Sequence, residues 1–299
     1  MASTFPPGFS LGFKTSPQGA TWAQLDDTWS AAGELDVFVA GWLNDHLTDM
    51  TDAGGPSMEA LTLLATLVHR VPGKWVGHAV LSNTFRHPAV LAKAATVLDH
   101  ATGGRFVLGL GAGWHEFEHH SFGIPMPAIG ERIDRLVSAV AVLEALFSAN
   151  AGSPPGVTRP DRFYPLEHAT NEPMPLTPGG PPIFLGGQGP RGIGLAGRAA
   201  DGWLLPGVNA GDERYFRTKR DQLLATLEAA GRNGDGFAFV GQVHVGASAH
   251  DRKQALAEGR ALRAVGATHV VLGMPPSRGP DSLRLIAREV AEPLLLQEA

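Results

Sequence analysis

Cysteine is absent from all 299 residues, which excludes disulfides and thiolate metal sites. Lysine and arginine never cluster, and the formal net charge is −5, so nothing marks a nucleic-acid surface. No apolar run reaches the ~18 residues a membrane span needs. Met1 to Ser10 carry neither a basic start nor an apolar stretch. No secretory signal is therefore expected, and a cytoplasmic location is the default. What is present is apolar enough for a large core: 43% hydrophobic against 18% charged residues, a balance that argues against disorder. Such a length suits two ordinary domains or one α/β barrel.

Strand-like and helix-like segments alternate from end to end. The pairs are 9–14 with 22–32, 37–43 with 57–70, 75–81 with 88–100, and 106–111 with 129–149. They continue as 183–186 with 190–200, 202–205 with 212–230, 237–245 with 251–265, and 269–272 with 280–292. The strand segments are short and rich in Val, Leu and Phe. The helical ones repeat apolar residues at three- and four-residue steps, as in Leu136, Val140, Leu143 and Phe147. Eight such pairs predict a single (β/α)8 barrel over residues 1–299. An open, doubly wound sheet is the alternative, because the fifth and sixth strands are the weakest. One stretch breaks the rhythm: Asn150 to Pro182 holds nine prolines and little periodicity. It reads as an excursion before the fifth strand, either a structural flap or a lid beside the mouth.

Several clusters have chemical potential. Gly104-Arg105-Phe106-Val107-Leu108-Gly109-Leu110-Gly111-Ala112-Gly113-Trp114-His115-Glu116 is a buried strand whose glycines let something flat or anionic approach the backbone. Asn44-Asp45-His46 follows the second strand, where a barrel places its active mouth. Neighbours on an extended chain point oppositely, so Asp45 and His46 need not touch. Ala79-Val80-Leu81-Ser82-Asn83-Thr84 ends the third strand in a polar turn. Pro182 to Gly192 reads as strand, glycine turn and helix start. Gly186, Gly187, Gln188 and Gly189 there suit an anion, and Arg191 offers a charge-assisted contact. The turn also satisfies a dinucleotide fingerprint, but Pro190 sits inside it and the ribose-binding acid is missing. His115-Glu116-Phe117-Glu118-His119 is a literal H-E-x-x-H. It follows a glycine-rich strand end directly, Phe122-Gly123-Ile124-Pro125 limits the helix, and only Glu131 and Glu144 could serve as a third ligand, so no metal is expected. His87, His168 and His250 read as structural or surface groups, His87 as a helix start before Pro88. Trp22, Trp29 and Trp75 read as packing residues.

The glycine run, the Glu131-Arg132-Ile133-Asp134-Arg135-Leu136 helix start and the Asn83–Lys93 block together resemble the bacterial luciferase-like family of flavin- and deazaflavin-dependent oxidoreductases. The resemblance is strongest over 75–147 and 181–203. It implies a hydride-transferring enzyme using the deazaflavin coenzyme F420 and an unidentified small organic substrate. An FMN-dependent monooxygenase is the alternative, and a non-catalytic flavin-binding protein a third reading. The resemblance places His46 near the reactive ring as the catalytic residue, with Asp45 at the cofactor edge. It implies a bulge with a cis peptide between Ala79 and Val80 behind the ring, with Ser82 and Asn83 beside it. It also puts His115 near the ring or ribityl chain and the cofactor phosphate on the Gly186–Gly189 turn, followed downstream by Ala200-Asp201-Gly202. Some deazaflavin dehydrogenases carry an acid where Ala112 stands. Ala112 cannot donate a proton, so that role is not transferred and a sugar-phosphate substrate is not expected. Members of the family imply a homodimer.

Overall fold

A computed structural model describes residues 5–6, 8–50, 55–275 and 278–296. In chain order the elements begin β1 (Ser10–Thr15), α1 (Trp22–Gly33), β2 (Ala40–Leu43), α2 (Ala60–Leu67), β3 (Trp75–His78), β4 (Leu81–Ser82) and α3 (Pro88–Ala101). Next come β5 (Phe106–Gly111), α4 (Glu116–Ser121), α5 (Ile129–Phe147), β6 (Val157–Arg159), β7 (Leu166–Ala169), β8 (Ile183–Gly186), α6 (Pro190–Ala199) and β9 (Gly202–Leu204). The chain closes with α7 (Glu213–Ala229), β10 (Ala238–His244), α8 (Ala249–Ala264), β11 (His269–Gly273), α9 (Gly279–Ile286) and α10 (Glu292–Leu295).

The parallel strands run β3-β2-β1-β11-β10-β9-β8-β5, and β5 pairs back with β3 to close the barrel. The eight strand–helix pairs of the sequence all appear in it. Side chains alternate across each strand. Inward-facing Trp42, Val107, Phe184, Leu204, Val240 and Val271 fill the barrel centre. Outward-facing Leu11, Phe13, Leu43, Phe106 and Leu108 pack beneath the helices. Near the N-terminal floor, the His269 ring accepts from Trp42 Nε1 at 3.2 Å and bonds Ser10 Oγ at 2.8 Å. Helix starts follow local chemistry: Thr21 and Gln24 form a capping box on α1, and His87 caps α3 ahead of Pro88.

Two elements depart from the expected pattern. The third strand does not run unbroken from Trp75 to Leu81. It stops at His78, has a cis peptide between Ala79 and Val80, and resumes as β4. A six-residue helix, α4, also intervenes after β5, between the fourth strand and its paired helix. Residues 150–182 carry the β6–β7 antiparallel pair, which does not join the barrel sheet. The segment is fixed against the outer helices. Asp99 of α3 accepts from the Thr177 amide and hydroxyl, both at 2.8 Å, and Ser138 of α5 bonds Asp161. Tyr164 meets the His87 ring edge-on at 5.2 Å.

Candidate active site

The bulge at Ala79–Val80 pushes the Val80 side chain into the mouth, and glycines on the neighbouring strands receive it. A Cβ at Gly111 would lie 2.8 Å from Val80 Cγ2, and one at Gly186 3.3 Å from it. A Cβ at Gly109 would lie 1.8 Å from the His78 carbonyl. The glycines of β5 are therefore required first by the bulge, a reason the sequence alone did not supply. The next residue shows what the bulge prepares. Asn83 is buried, its amide N–H donates to Gly111 O at 2.9 Å, and its side-chain oxygen and nitrogen both lack partners. Burying an amide unpaired is costly, so this side chain fits a ligand with complementary polar atoms.

His46 follows β2, and its Nδ1 lies 3.0 Å from Glu118 Oε2. Glu118 comes from α4 and is fully buried. Its other oxygen accepts the backbone amides of Leu47 at 2.6 Å and Thr48 at 3.0 Å. Burial alone pushes the Glu118 carboxyl up. The His46 imidazole and the Thr48 and Leu47 amides outweigh burial and hold it down at about 2. The carboxylate thus fixes the loop after β2 and one ring nitrogen of His46. His115, the residue before α4, brings its Nδ1 to 3.2 Å from the same Oε2 without hydrogen-bond geometry. Trp114 meets the His46 ring edge-on at 5.9 Å, and is 63% exposed at the rim.

Asp45 points the other way, as an extended chain requires. Its oxygens take both Arg86 terminal nitrogens, at 2.7 and 2.8 Å, and the Ser82 amide at 2.8 Å. Arg86 also bonds Glu59. Burial would lower the Arg86 guanidinium, but Asp45 and Glu59 raise it further than that. Asp45 thereby ties the loop after β2 to the strand after the bulge. Both Asp45 oxygens are engaged by Arg86 and one also by the Ser82 amide.

Across the mouth, Gly187 has φ +150°, and its carbonyl accepts from Trp203 Nε1 at 2.8 Å. Gly189 caps α6, and a Cβ there would meet open space. Pro190 has no amide N–H, and the Arg191 and Gly192 amides have no helix carbonyl one turn back. Gln188 accepts from the Tyr215 hydroxyl at 2.6 Å. Arg191 is turned outward instead, to the Gly130 carbonyl at 3.2 Å and to Asp134.

The H-E-x-x-H histidines do not act as a pair. His119 spends one nitrogen on the His115 carbonyl and the other on Thr84 Oγ1, each at 2.7 Å. The atoms that do converge are on His46, His115 and Glu118, all within 4.8 Å of one another. Sequence reasoning passed over Glu118. Its signal was the i, i+3 step from His115, which places both on one face of a turn.

Comparison with known proteins gives the family. Residues 22–289 match the family model described as luciferase-like monooxygenase. An F420-dependent glucose-6-phosphate dehydrogenase of Nakamurella multipartita is 30% identical over 256 residues, covering 85% of this chain and 72% of that protein. A second such enzyme, from Kineococcus radiotolerans, is 30% identical over 78% of this chain and 66% of its own length. An F420-dependent hydroxymycolic acid dehydrogenase of Mycobacterium tuberculosis is 30% identical over 74% of this chain and 60% of its own length. An F420-dependent secondary alcohol dehydrogenase, solved with an F420–acetone adduct, shares the fold: TM-score 0.78 at 16% identity, over 95% of this chain and 99% of that one. The family match spans both halves of the mouth, from α1 to the helices after β11, and the chain belongs to the luciferase-like monooxygenase family.

Proposed function

We propose that this chain is an oxidoreductase that binds coenzyme F420 at the β2–β3–β5–β8 half of the mouth and moves a hydride between it and a small oxygen-bearing substrate. The F420-dependent activities of the relatives support the coenzyme. So do two observations on this chain: the unpaired Asn83 amide beside the bulge and the open α6 N-terminus beyond Gly187. Val80 would back the ring, Asn83 would meet its polar edge, and Gly187 to Gly189 with the α6 amides would hold the phosphate. When bound, the coenzyme supplies a two-electron hydride acceptor or donor.

The observation that carries the chemistry is His46 Nδ1 on the buried Glu118 carboxylate. With a proton on Nδ1 directed at Glu118, Nε2 is an acceptor toward the mouth. When a hydride leaves the carbinol carbon of an alcohol, the hydroxyl proton passes to His46 Nε2, leaving a carbonyl. In the reverse direction His46 returns that proton to the oxygen. Glu118 positions the ring and balances the imidazolium that forms.

Parallel fluorescence titrations of the purified protein with coenzyme F420 and FMN test the coenzyme. Binding of F420 about tenfold tighter than FMN is expected; equal or reversed affinities overturn the assignment. His46→Ala should keep F420 affinity within a few-fold while turnover falls roughly 100- to 10,000-fold, the range for losing a general acid–base. Turnover retained at saturating coenzyme removes the proton-transfer role.

A further inference from the structure

The other half of the mouth, formed by β1, β11, β10 and β9, has no assigned role, yet it holds an ammonium group inside the barrel. Lys14 is the fifth residue of β1 and faces inward, as Ser10 does on the same strand face. Its side chain is 7% exposed. Nζ donates to Gln242 Oε1 on β10, and Gln242 Nε2 is spent on the Leu205 carbonyl after β9. Among the described residues, Lys14 has no carboxylate partner, and Gln242 satisfies one of three ammonium protons.

Lys14, Gly273 and His244 are abreast in register at the strand ends. Between the two cationic side-chain types stands a residue without one. A Cβ at Gly273 would lie 3.3 Å from His244 Nδ1 and 3.4 Å from Lys14 Cε. Burial, and then the Lys14 charge, push the His244 imidazole down; the Gly207 carbonyl and Glu258 oppose this. Glu258 packs against Gly211. Burial likewise lowers the Lys14 ammonium, to about 8. Buried charge is costly unless paired and hydrogen-bonded, and here the protein supplies one neutral acceptor.

The geometry points to Lys14, held by Gln242, as the subsite that takes an anionic oxygen group of the substrate, a carboxylate or a phosphate, facing the coenzyme half of the mouth. This substrate class rests on the proposed F420-dependent function. Gln242 fixes the Lys14 head, the missing side chain at Gly273 lets the Lys14 and His244 side chains pack there, and the ligand's charge replaces the absent carboxylate. The hydride-exchanging carbon then lies between this anchor and His46.

The chain has five lysines, so 15N-lysine labelling gives five Nζ signals, with Lys14 identified by its loss in Lys14→Arg. Acetate and inorganic phosphate are titrated separately into coenzyme-loaded and coenzyme-free protein, with coenzyme loading followed by its own fluorescence. A saturable shift of the Lys14 signal alone is expected with one anion, together with a rise of about one pH unit in its titration midpoint, the scale of a nearby opposite charge. The anion that gives it decides between carboxylate and phosphate. Lys14→Met should stay folded, with an unchanged or higher melting temperature, and lose the saturable anion binding seen calorimetrically in the parent. Three results overturn the proposal: a Lys14 signal blind to both anions, equal shifts at all five lysines, or a signal moved by the coenzyme and thereafter insensitive to anions. Failure of the coenzyme itself to bind shows in its fluorescence, so the two readings fail separately.

Discussion

Replacing Glu118 by glutamine removes one charge and no heavy atoms, and the surrounding donors dictate the outcome. The Leu47 and Thr48 amides are fixed N–H groups that both need an oxygen. The glutamine oxygen must face them, which turns its NH2 toward His46 Nδ1. That nitrogen then has to accept, so the ring proton moves to Nε2 and the mouth meets a donor instead of an acceptor. A carboxyl held at about 2 instead of its ordinary 4.5 corresponds to about 3 kcal/mol favouring the charged form at neutral pH. An independent count gives the same scale, because hydrogen bonds to a charged group contribute about 1.5–3 kcal/mol each and the glutamine keeps the amide pair. Glu118→Gln should therefore cost about 2–3 kcal/mol and lower the melting temperature by roughly 5 °C or more. The depressed value also fixes a window: the Glu118 contribution is complete above about pH 4.5 and disappears as pH falls toward 2, so the variant's profile is flatter there. Calorimetry reads the stability, and 15N imidazole spectra read the His46 tautomer without any substrate. A melting temperature within a degree of the parent, with the Nδ1–H tautomer retained, would refute the reasoning.

Gly187→Val places a β-branched side chain at φ +150° and 3.4 Å from Gly192 Cα; F420 affinity should fall by at least tenfold while the melting temperature changes by only a few degrees, and unchanged affinity would move the phosphate site elsewhere. Burial pushes His269 down to about 3, and burial outweighs the Ala60 carbonyl and the nearby carboxylates in taking His78 down to about 4. Below the unfolded value of about 6.5 the unfolded chain binds more protons than the folded one, so each histidine removes up to about 1.4 kcal/mol per pH unit as pH drops toward its folded value. His269→Gln should flatten the melting-temperature profile between pH 6.5 and 4, and a profile parallel to the parent's would show that His269 is not buried neutral.

The barrel was legible because its signal is repetitive. Eight apolar strands alternate with eight amphipathic helices, and no single weak segment such as 202–205 could displace the rest. His46, Val80 and the Gly187 turn were placed at the mouth by position at strand ends and by family resemblance. What stayed hidden depends on contacts between residues distant in the chain. Glu118 meets His46 from 72 positions away, inside a motif whose two histidines drew attention from the acid between them. Asp45 stands beside His46 in sequence, and its pairing with Arg86, 41 residues on, had no local signal. Lys14 carried no signal, because a lysine at a strand end is ordinary until Gln242, 228 residues later, covers it.

The break in the third strand also bears on how the cylinder holds shut. β1 and β11 share five register pairs, as do β10 and β11, whereas β3 meets β5 through two, Val76 with Phe106 and Gly77 with Val107. Two more follow only after the bulge, through β4. This seam is interrupted, with residues 79 and 80 between its two halves; its four pairs in all compare with three each for β5–β8, β8–β9 and β9–β10. A molecule resting on Val80 and reaching from Asn83 to the α6 N-terminus would span β3, β5 and β8 and act as a clasp across that seam. Ligand occupancy and closure of the cylinder are then thermodynamically linked, and amide protons along β3 and β5 should exchange with solvent most freely when the mouth is empty.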